Sequence, residues 1–156
     1  MPGVGMGVNG TQNARALSRR LRQAGAGGLQ RELARQLQQA GRPVVLELRA
    51  AALALPSKGV GHTGLRRKIA AATRSAPRIG GVRFYVASAA LGGQAPLPGL
   101  IHAAAGWYHP VFGRPPYVHQ DSPAVPWFTT TVMANEDRLR QACEEAMQRI
   151  AAMING

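Results

Sequence analysis

The sequence predicts an α+β fold with an N-terminal helical arm, a short central helix, a small antiparallel sheet and a long C-terminal helix. Three observations predict it: leucines recur every fourth residue early in the chain, apolar and polar residues alternate near its middle, and an apolar stripe at helical spacing runs to its end. Of the 156 residues 46% are hydrophobic, but 19 are Gly and many others are Ala. We therefore expect a single domain, residues 11–156, with a modest core.

The N-terminal part is predicted to be a flexible leader, residues 1–10, followed by a helical arm, residues 11–55. The leader is rich in Gly and has no periodicity, so we expect it to be flexible unless it orders on a partner. Within the arm, an Arg-rich helix precedes a second helix that carries Leu29, Leu33 and Leu37 on one stripe. A stripe this narrow suits packing against a neighbouring subunit as well as against the chain's own core.

Gly and Pro are predicted to interrupt the arm twice. Gly25-Ala26-Gly27-Gly28 separates the first two helices. Gly41-Arg42-Pro43 is expected to break or kink the second, because Pro lacks a backbone donor and clashes with the preceding turn. A third helical stretch, Val44–Leu55, then ends at Pro56.

Residues 56–128 are predicted to form a region of helix, strand and aromatic loop. After an initial loop, Thr63 is expected to cap a short helix, Gly64–Ser75. Apolar residues alternate through Val82–Ala87, which is typical of a half-buried strand. We expect this strand to form a small antiparallel sheet with Tyr117–His119.

The last predicted element is a helix over residues 129–154. Its apolar stripe consists of Val132, Leu139, Cys143, Ala146 and Ile150. Glu136 with Arg140, and Glu145 with Arg149, are spaced for favourable ion pairs on its surface.

Positive charge dominates the composition. Nineteen Lys and Arg oppose seven Asp and Glu, for a net charge of +12, and no carboxylate occurs between Leu48 and Gln120. Such a chain attracts phosphate or an acidic protein face. GC-rich codon usage accounts for part of the preference for Arg over Lys, but not for the missing carboxylates. The residues predicted to contact DNA or an acidic partner are Lys58, Arg66, Arg67 and Lys68. Ordinary solvated surface is the alternative interpretation.

The sequence predicts neither an enzyme nor a cofactor or metal site. Residues 59–64 match G-x-G-x-x-G, but a helix rather than a strand is predicted before them, and no carboxylate follows until Asp121. The histidines lack metal-ligand spacing, and no nucleophile elbow is present. The single Cys143 suits a reducing compartment. Neither a membrane span nor a signal peptide is expected.

Aromatic residues and Pro are concentrated in residues 107–128. Large aromatics in Pro-stiffened loops lose little entropy on ordering, so they make good interface anchors. Filling a core that lacks bulky aliphatics is the alternative. The residues predicted to support a folded interface loop are Trp107, His109, Pro110, Phe112, Tyr117, Trp127 and Phe128.

This segment also resembles a known family. HPVFG at 109–113, an aromatic-Val-x-Gln at 117–120 and PWF at 126–128 resemble the tail-component (neck or tail-completion) family of long-tailed double-stranded DNA phages, in the version found in phages of actinobacteria. Tyr117 stands where that family usually has Trp. The resemblance extends over residues 11–154. Weaker upstream matches are LRQAG at 21–25, LQREL at 29–33, RPV at 42–44, RAAA at 49–52 and GLR at 64–66.

The resemblance implies a structural protein of the virion neck, with no catalytic residues to carry over. The implied partners are copies of itself in a ring, head-side connector or stopper proteins, tail terminator or tail-tube proteins and, more weakly, genome DNA in the channel. The implied location is the neck or tail of a virion assembled in the host bacterial cytoplasm. A free basic nucleic-acid-binding protein, nucleoid- or ribosome-like, is the alternative.

Overall fold

The computed structural model describes residues 5–9, 12–23, 25, 27–55, 64–78, 81–94, 107–111, 114–120 and 126–155. The elements in chain order are β1 (Gly5–Asn9), α1 (Gln12–Gln23), α2 (Gly27–Leu53), α3 (Leu65–Ala72), β2 (Thr73–Arg78), β3 (Gly81–Val86), a 3₁₀ segment (Ser88–Gln94), β4 (Trp107–Val111), β5 (Arg114–Gln120), α4 (Trp127–Ala134) and α5 (Glu136–Asn155). The predicted α+β class is confirmed, with its helical arm, short central helix, antiparallel strands and long C-terminal helix.

The strands form two separate antiparallel sheets. One has three strands in the order β1-β3-β2, and the other is the β4-β5 pair. The prediction of a single sheet joining Val82–Ala87 to Tyr117–His119 is therefore wrong in its pairing, although both segments lie in strands. The central strand β3 instead pairs with β2, which directly precedes it, and with β1 from the N-terminal segment.

The N-terminal segment contributes a strand where a flexible leader was expected. Gly5–Asn9 pairs along β3, with Gly5 opposite Tyr85 and Val8 opposite Val82. Alternation of Gly with larger residues is compatible with an edge strand, but it is too weak a pattern to predict one without knowledge of the partner.

The longest helix, α2, continues through Pro43, so of the predicted break or kink the break is wrong, and the separate third helix belongs to α2. Pro43 is exposed, and the buried face of α2 continues on both sides of it. The buried residues of α2 are Leu33, Leu37, Gly41, Val44, Val45, Leu48 and Ala52. Packing of this long face offsets the backbone hydrogen bond that Pro cannot make.

The core lies between the helices and one face of the three-stranded sheet. Helix α2 approaches the sheet closely at Gly41, because a Cβ there would lie 2.8 Å from Val82 Cγ1. Beside this contact with the sheet, α2 also packs against α5, which runs antiparallel to it. Arg138 pairs with Glu47 at 2.8 Å near one end, and Arg149 donates to Gln36 at 3.0 Å towards the other.

Helix α3 passes directly into strand β2. The helix begins at Leu65, and Gly64, with φ of 69°, occupies the cap position that was predicted for Thr63, a residue outside the described part of the chain. The helix ends at Ala72 rather than at Ser75. Buried Thr73 ends it, since its Oγ1 donates to Ile69 O at 2.8 Å while its own backbone is extended.

The C-terminal segment forms two helices where one was predicted. Helices α4 and α5 meet at Asn135, which is buried and whose Nδ2 donates to Thr131 O at 2.9 Å and to Glu47 Oε2 at 2.5 Å. The predicted apolar stripe is confirmed, because its members are all buried. The predicted Glu136–Arg140 and Glu145–Arg149 pairs are also present, at 2.7 Å and 4.0 Å.

Candidate functional site

The predicted aromatic interface residues are divided between two parts of the fold. Trp107, His109 and Pro110 lie in β4, and Tyr117 lies in β5 opposite Pro110; Phe112 lies outside the described residues. Since alternate positions of a strand face opposite sides, positions 107 and 109 share one face of this hairpin, and positions 110 and 117 share the other. Four of the predicted residues therefore come from one hairpin and occupy positions on both of its faces.

The other two predicted aromatics belong to the core. Trp127 is 6% exposed and Phe128 is fully buried, with their rings edge to face at a centroid distance of 5.4 Å. Both lie in the first turn of α4. The indole Nε1 of Trp127 is buried and has no acceptor among the described residues. In the subunit these two side chains fill the core, which favours the alternative that the sequence left open.

One residue of the predicted basic cluster on α3, Arg66, forms hydrogen bonds within the chain. Arg66 donates from Nη1 to the carbonyl oxygens of Leu55 at 2.7 Å and Leu53 at 3.3 Å. These carbonyls follow the last turn of α2, where a cation satisfies acceptors that the helix leaves unpaired. Arg67 and Lys68 are exposed, and Lys58 lies outside the described residues. The cluster is thus a weaker binding surface than its sequence suggests, because Arg66 stabilises the end of a helix.

An exposed apolar stripe on α2 was not predicted. Its residues, here called the outer stripe, are Pro43, Leu46, Ala50 and Leu53. They recur at helical spacing on the side of α2 opposite its buried face, and Leu46 and Leu53 are 65% and 48% exposed. The spacing is visible in the sequence, but the Ala-rich run around it hides which side of the helix faces the core.

A second surface is the outer face of β2 and β3, which the sequence did not predict as one continuous face. Val82, Phe84 and Val86 of β3 are buried, so the alternate residues face away from the core. This outer face, here called the arginine face, carries Arg74, Arg78, Arg83 and Tyr85. The three arginines are exposed, and the guanidinium of Arg83 lies over the Tyr85 ring, 5.5 Å from its centroid.

The described carboxylates that form ion pairs lie on α2 and α5, away from the arginine face. Glu32 pairs with Arg35 at 2.6 Å, and its hydrogen bonds from Arg35 and Gln36 lower its pKa from 4.5 to about 2. Glu47 accepts hydrogen bonds from Asn135 and Arg138, which lower its pKa. The helical layer therefore neutralises part of its own charge, whereas the strands β2 and β3 contain only basic charges.

The described residues offer little reactive chemistry. No group of three or more His, Cys, Asp or Glu side chains comes together among them in an arrangement that could hold a metal ion. Cys143 is buried in α5, and desolvation, together with the nearby Glu144, raises the pKa of its thiol. The element before the G-x-G-x-x-G segment is helix α2 rather than the strand that a dinucleotide site requires. Among the described residues, these features supply neither a metal-binding group nor the strand that a dinucleotide site requires.

Comparison with known proteins does not place the chain in a family. No protein-family model, no curated protein and no solved structure matches it. None of the helices in the described part of the chain combines the length and apolar character needed to cross a bilayer.

Proposed function

We propose that this chain is a structural protein of a tailed-phage virion, placed in the neck, where copies of it form a ring between the head connector and the tail tube. The observation that carries the proposal is the outer stripe of α2. A surface helix whose inner face fills the core ordinarily presents polar residues outwards, whereas this one presents two leucines with Pro and Ala between and beside them. Contact with a second copy would remove that apolar surface from water.

Two sequence features support the same proposal. The HPVFG and PWF segments resemble the neck and tail-completion proteins of long-tailed phages. The proposed partners are further copies of the chain, head-side connector or stopper proteins, and tail terminator or tail-tube proteins. The proposed location is the virion, after assembly in the host cytoplasm.

The oligomeric state tests the ring. We expect light scattering and negative-stain microscopy of the purified chain to show closed oligomers at micromolar concentration or in the presence of a connector protein. The double variant Leu46→Ser/Leu53→Ser should remain monomeric with an unchanged circular dichroism spectrum. Met133→Ser/Met153→Ser is the matched control, because it removes two apolar side chains of similar exposure, 57% and 56%, from other helices. If both double variants assembled equally well, the outer stripe would not be the surface through which copies of the chain assemble.

The virion itself provides the second test. Mass spectrometry of purified particles of the phage that encodes the chain should detect it at a fixed copy number. Portal and capsid genes should lie upstream of its gene, and a tail-tube gene downstream. A chain that is absent from particles and monomeric with every neck partner would contradict the proposal.

A free basic nucleic-acid-binding protein is the second candidate. The exposed arginines of β2 and β3 favour it, together with the absence of carboxylates between Leu48 and Gln120. Tight binding of duplex DNA by a monomer that never assembles would support this candidate over the neck protein.

A further inference from the structure

We infer that the arginine face of β2 and β3 binds the phosphate backbone of double-stranded DNA. This goes beyond the proposed ring, because it assigns a ligand to a surface that the outer stripe of α2 does not include. Binding by this face and assembly through the stripe are separate properties, and each can fail without the other.

The register of the strands sets the spacing of the three arginines. Arg74 and Arg78 lie on β2, four residues apart, and Arg83 lies on β3 opposite Ala76, midway between them. At about 3.3 Å per residue, the two outer arginines are about 13 Å apart along the strand. The major groove of B-DNA is about 12 Å wide, so arginines at this separation can reach phosphates on both of its sides.

The described strand positions beside the centre of this face carry little side-chain bulk. Gly7 of β1 pairs with Arg83, and Gly5 pairs with Tyr85. Glycine adds no side chain beside the central arginine. The opposite neighbour, Ala76, is also small. The positions that flank Arg83 on the two neighbouring strands therefore carry only small residues.

The charges around the arginine face favour a polyanion. Among the residues that the structure describes, no ion pair involves Arg74, Arg78 or Arg83, whereas Arg35, Arg138 and Arg140 each pair with a carboxylate on the helices. Arg49, another basic residue close to the sheet, instead makes a contact within the chain, because it donates a hydrogen bond to Thr73 O at 3.2 Å. The sequence places no carboxylate anywhere between residues 48 and 120. Guanidinium groups without carboxylate partners are well suited to phosphate oxygens.

The small number of aromatic rings on the arginine face favours duplex over single-stranded nucleic acid as its ligand. Binding of single strands depends on several aromatic rings on which successive bases stack. The arginine face has one ring, Tyr85, and the Arg83 guanidinium already covers it. The face therefore supplies charge to a backbone and no stacking platform, which suits an intact duplex bound without sequence preference.

Fluorescence anisotropy with a labelled 30-base-pair duplex, measured from 50 to 200 mM salt, tests the inference. The triple variant Arg74→Ser/Arg78→Ser/Arg83→Ser should weaken binding by ~10-fold or more at low salt and lower the slope of log K against log salt by about 3, one unit for each arginine. Arg19→Ser/Arg20→Ser/Arg22→Ser is the matched control, because it removes the same charge from three exposed positions of α1. The control should change the salt slope far less.

Three further measurements complete the test. If the triple variant melts, Arg78→Ser at the end of β2 should still lower the slope by about 1. The charge-conserving Arg74→Lys/Arg78→Lys/Arg83→Lys variant should retain most of the salt slope. Polyglutamate should compete poorly with the duplex. The inference would be overturned if the two triple serine variants lost equal affinity, or if neither lost any. It would also be overturned if polyglutamate competed as strongly as DNA, a result that would indicate an acidic protein partner instead.

Discussion

Gly41 shows how one residue sets the distance between the long helix and the sheet. It is the buried glycine in the middle of α2, and it faces Val82, Phe84 and Ser75 at the point where helix and sheet cross. A glycine inside a helix costs stability relative to Ala, so a close approach of this kind is the physical reason to have one there.

Gly41→Ala should therefore destabilise the fold by about 1–3 kcal/mol, because the new methyl group would overlap Val82 Cγ1 and force the helix away from the sheet. Gly28→Ala, in the first turn of the same helix with nothing within 4 Å, is the matched control and should stabilise by up to about 1 kcal/mol. Urea denaturation of both variants checks the difference. Equal free energies of unfolding for the two variants would mean that the sheet can move away from a methyl group at position 41 without loss of stability.

Trp127 is a core residue of the subunit, so its loss should be visible without any assembly. Trp127→Ala should lower the free energy of unfolding by about 3–5 kcal/mol, because it leaves a cavity beside Phe128. Trp127→Phe should cost less, since it keeps a ring and removes an N–H that has no acceptor among the described residues.

Met133→Ala, an exposed position on the same helix, controls for changes in α4 and should stay within about 0.5 kcal/mol of the wild type. A thermal melt of the isolated chain distinguishes the variants. If Trp127→Ala melts with the wild type but fails to assemble, Trp127 is an interface residue after all.

At the scale of elements, the junction between α4 and α5 depends on a residue far away in the sequence. Asn135 ends α4, and its side-chain amide donates to the backbone oxygen of Thr131 in α4 and to the carboxylate of Glu47 in α2. Arg138, one turn into α5, pairs with the same Glu47. One carboxylate on α2 therefore holds the start of α5 in place, and the predicted single C-terminal helix becomes two.

This contact should make stability depend on pH. The pKa of Glu47 is lowered in the folded state by Asn135 and Arg138, so its contribution is complete above its ordinary value of 4.5 and is lost as the pH falls below that value. Glu47→Gln has no such titration. The free energy of unfolding, measured by urea from pH 6 down to about pH 3, should fall more steeply for the wild type than for Glu47→Gln.

Glu145→Gln is the control for this comparison. It removes a carboxylate from the exposed surface of α5, 4.0 Å from Arg149, and should follow the wild-type profile. Parallel profiles for the wild type and Glu47→Gln would show that the junction does not depend on the charge of Glu47.

At the scale of the whole molecule, the helices cover the inner face of the three-stranded sheet and leave its outer face to the solvent. The outer stripe of α2 and the arginine face belong to different elements and have opposite chemistry, one apolar and the other cationic. With this division, the proposed contacts with a neighbouring protein and with a polyanion would use different surfaces of the chain. This is what the two proposals above require of a neck subunit.

Cys143 reports on the integrity of the whole core. It is 1% exposed, and burial raises the pKa of its thiol, so the native protein should react very slowly with a thiol reagent at pH 8. The rate should rise with urea in parallel with the loss of helical circular dichroism. Met153→Cys, near the exposed end of the same helix, should provide a second thiol that reacts at once. Rapid labelling of Cys143 in native buffer would mean that α5 opens separately from the rest.

Much of the local structure could be predicted from the sequence. The strand with Val82, Phe84 and Val86 and the stripe from Leu139 to Ile150 are buried as their spacing predicted. Of the predicted stripe on α2, Leu33 and Leu37 are buried and Leu29 is partly buried. Periods of about two or 3.6 residues depend only on the backbone conformation and on which face meets the core. Of the candidate site, the sequence predicted a basic, carboxylate-free region, but not which arginines in it would face solvent.

The sequence by itself determined the fold class, the buried faces of α5 and of the first half of α2, the central strand and the positive charge between Leu48 and Gln120, because these follow from spacing and composition. The tertiary structure decided the rest. It carried α2 through Pro43, formed β2 directly after α3, placed β1 beside β3 and assigned Arg66 to the end of α2. Each of these outcomes depends on contacts between residues distant in the chain, whose energies exceed the local preferences that a sequence pattern records.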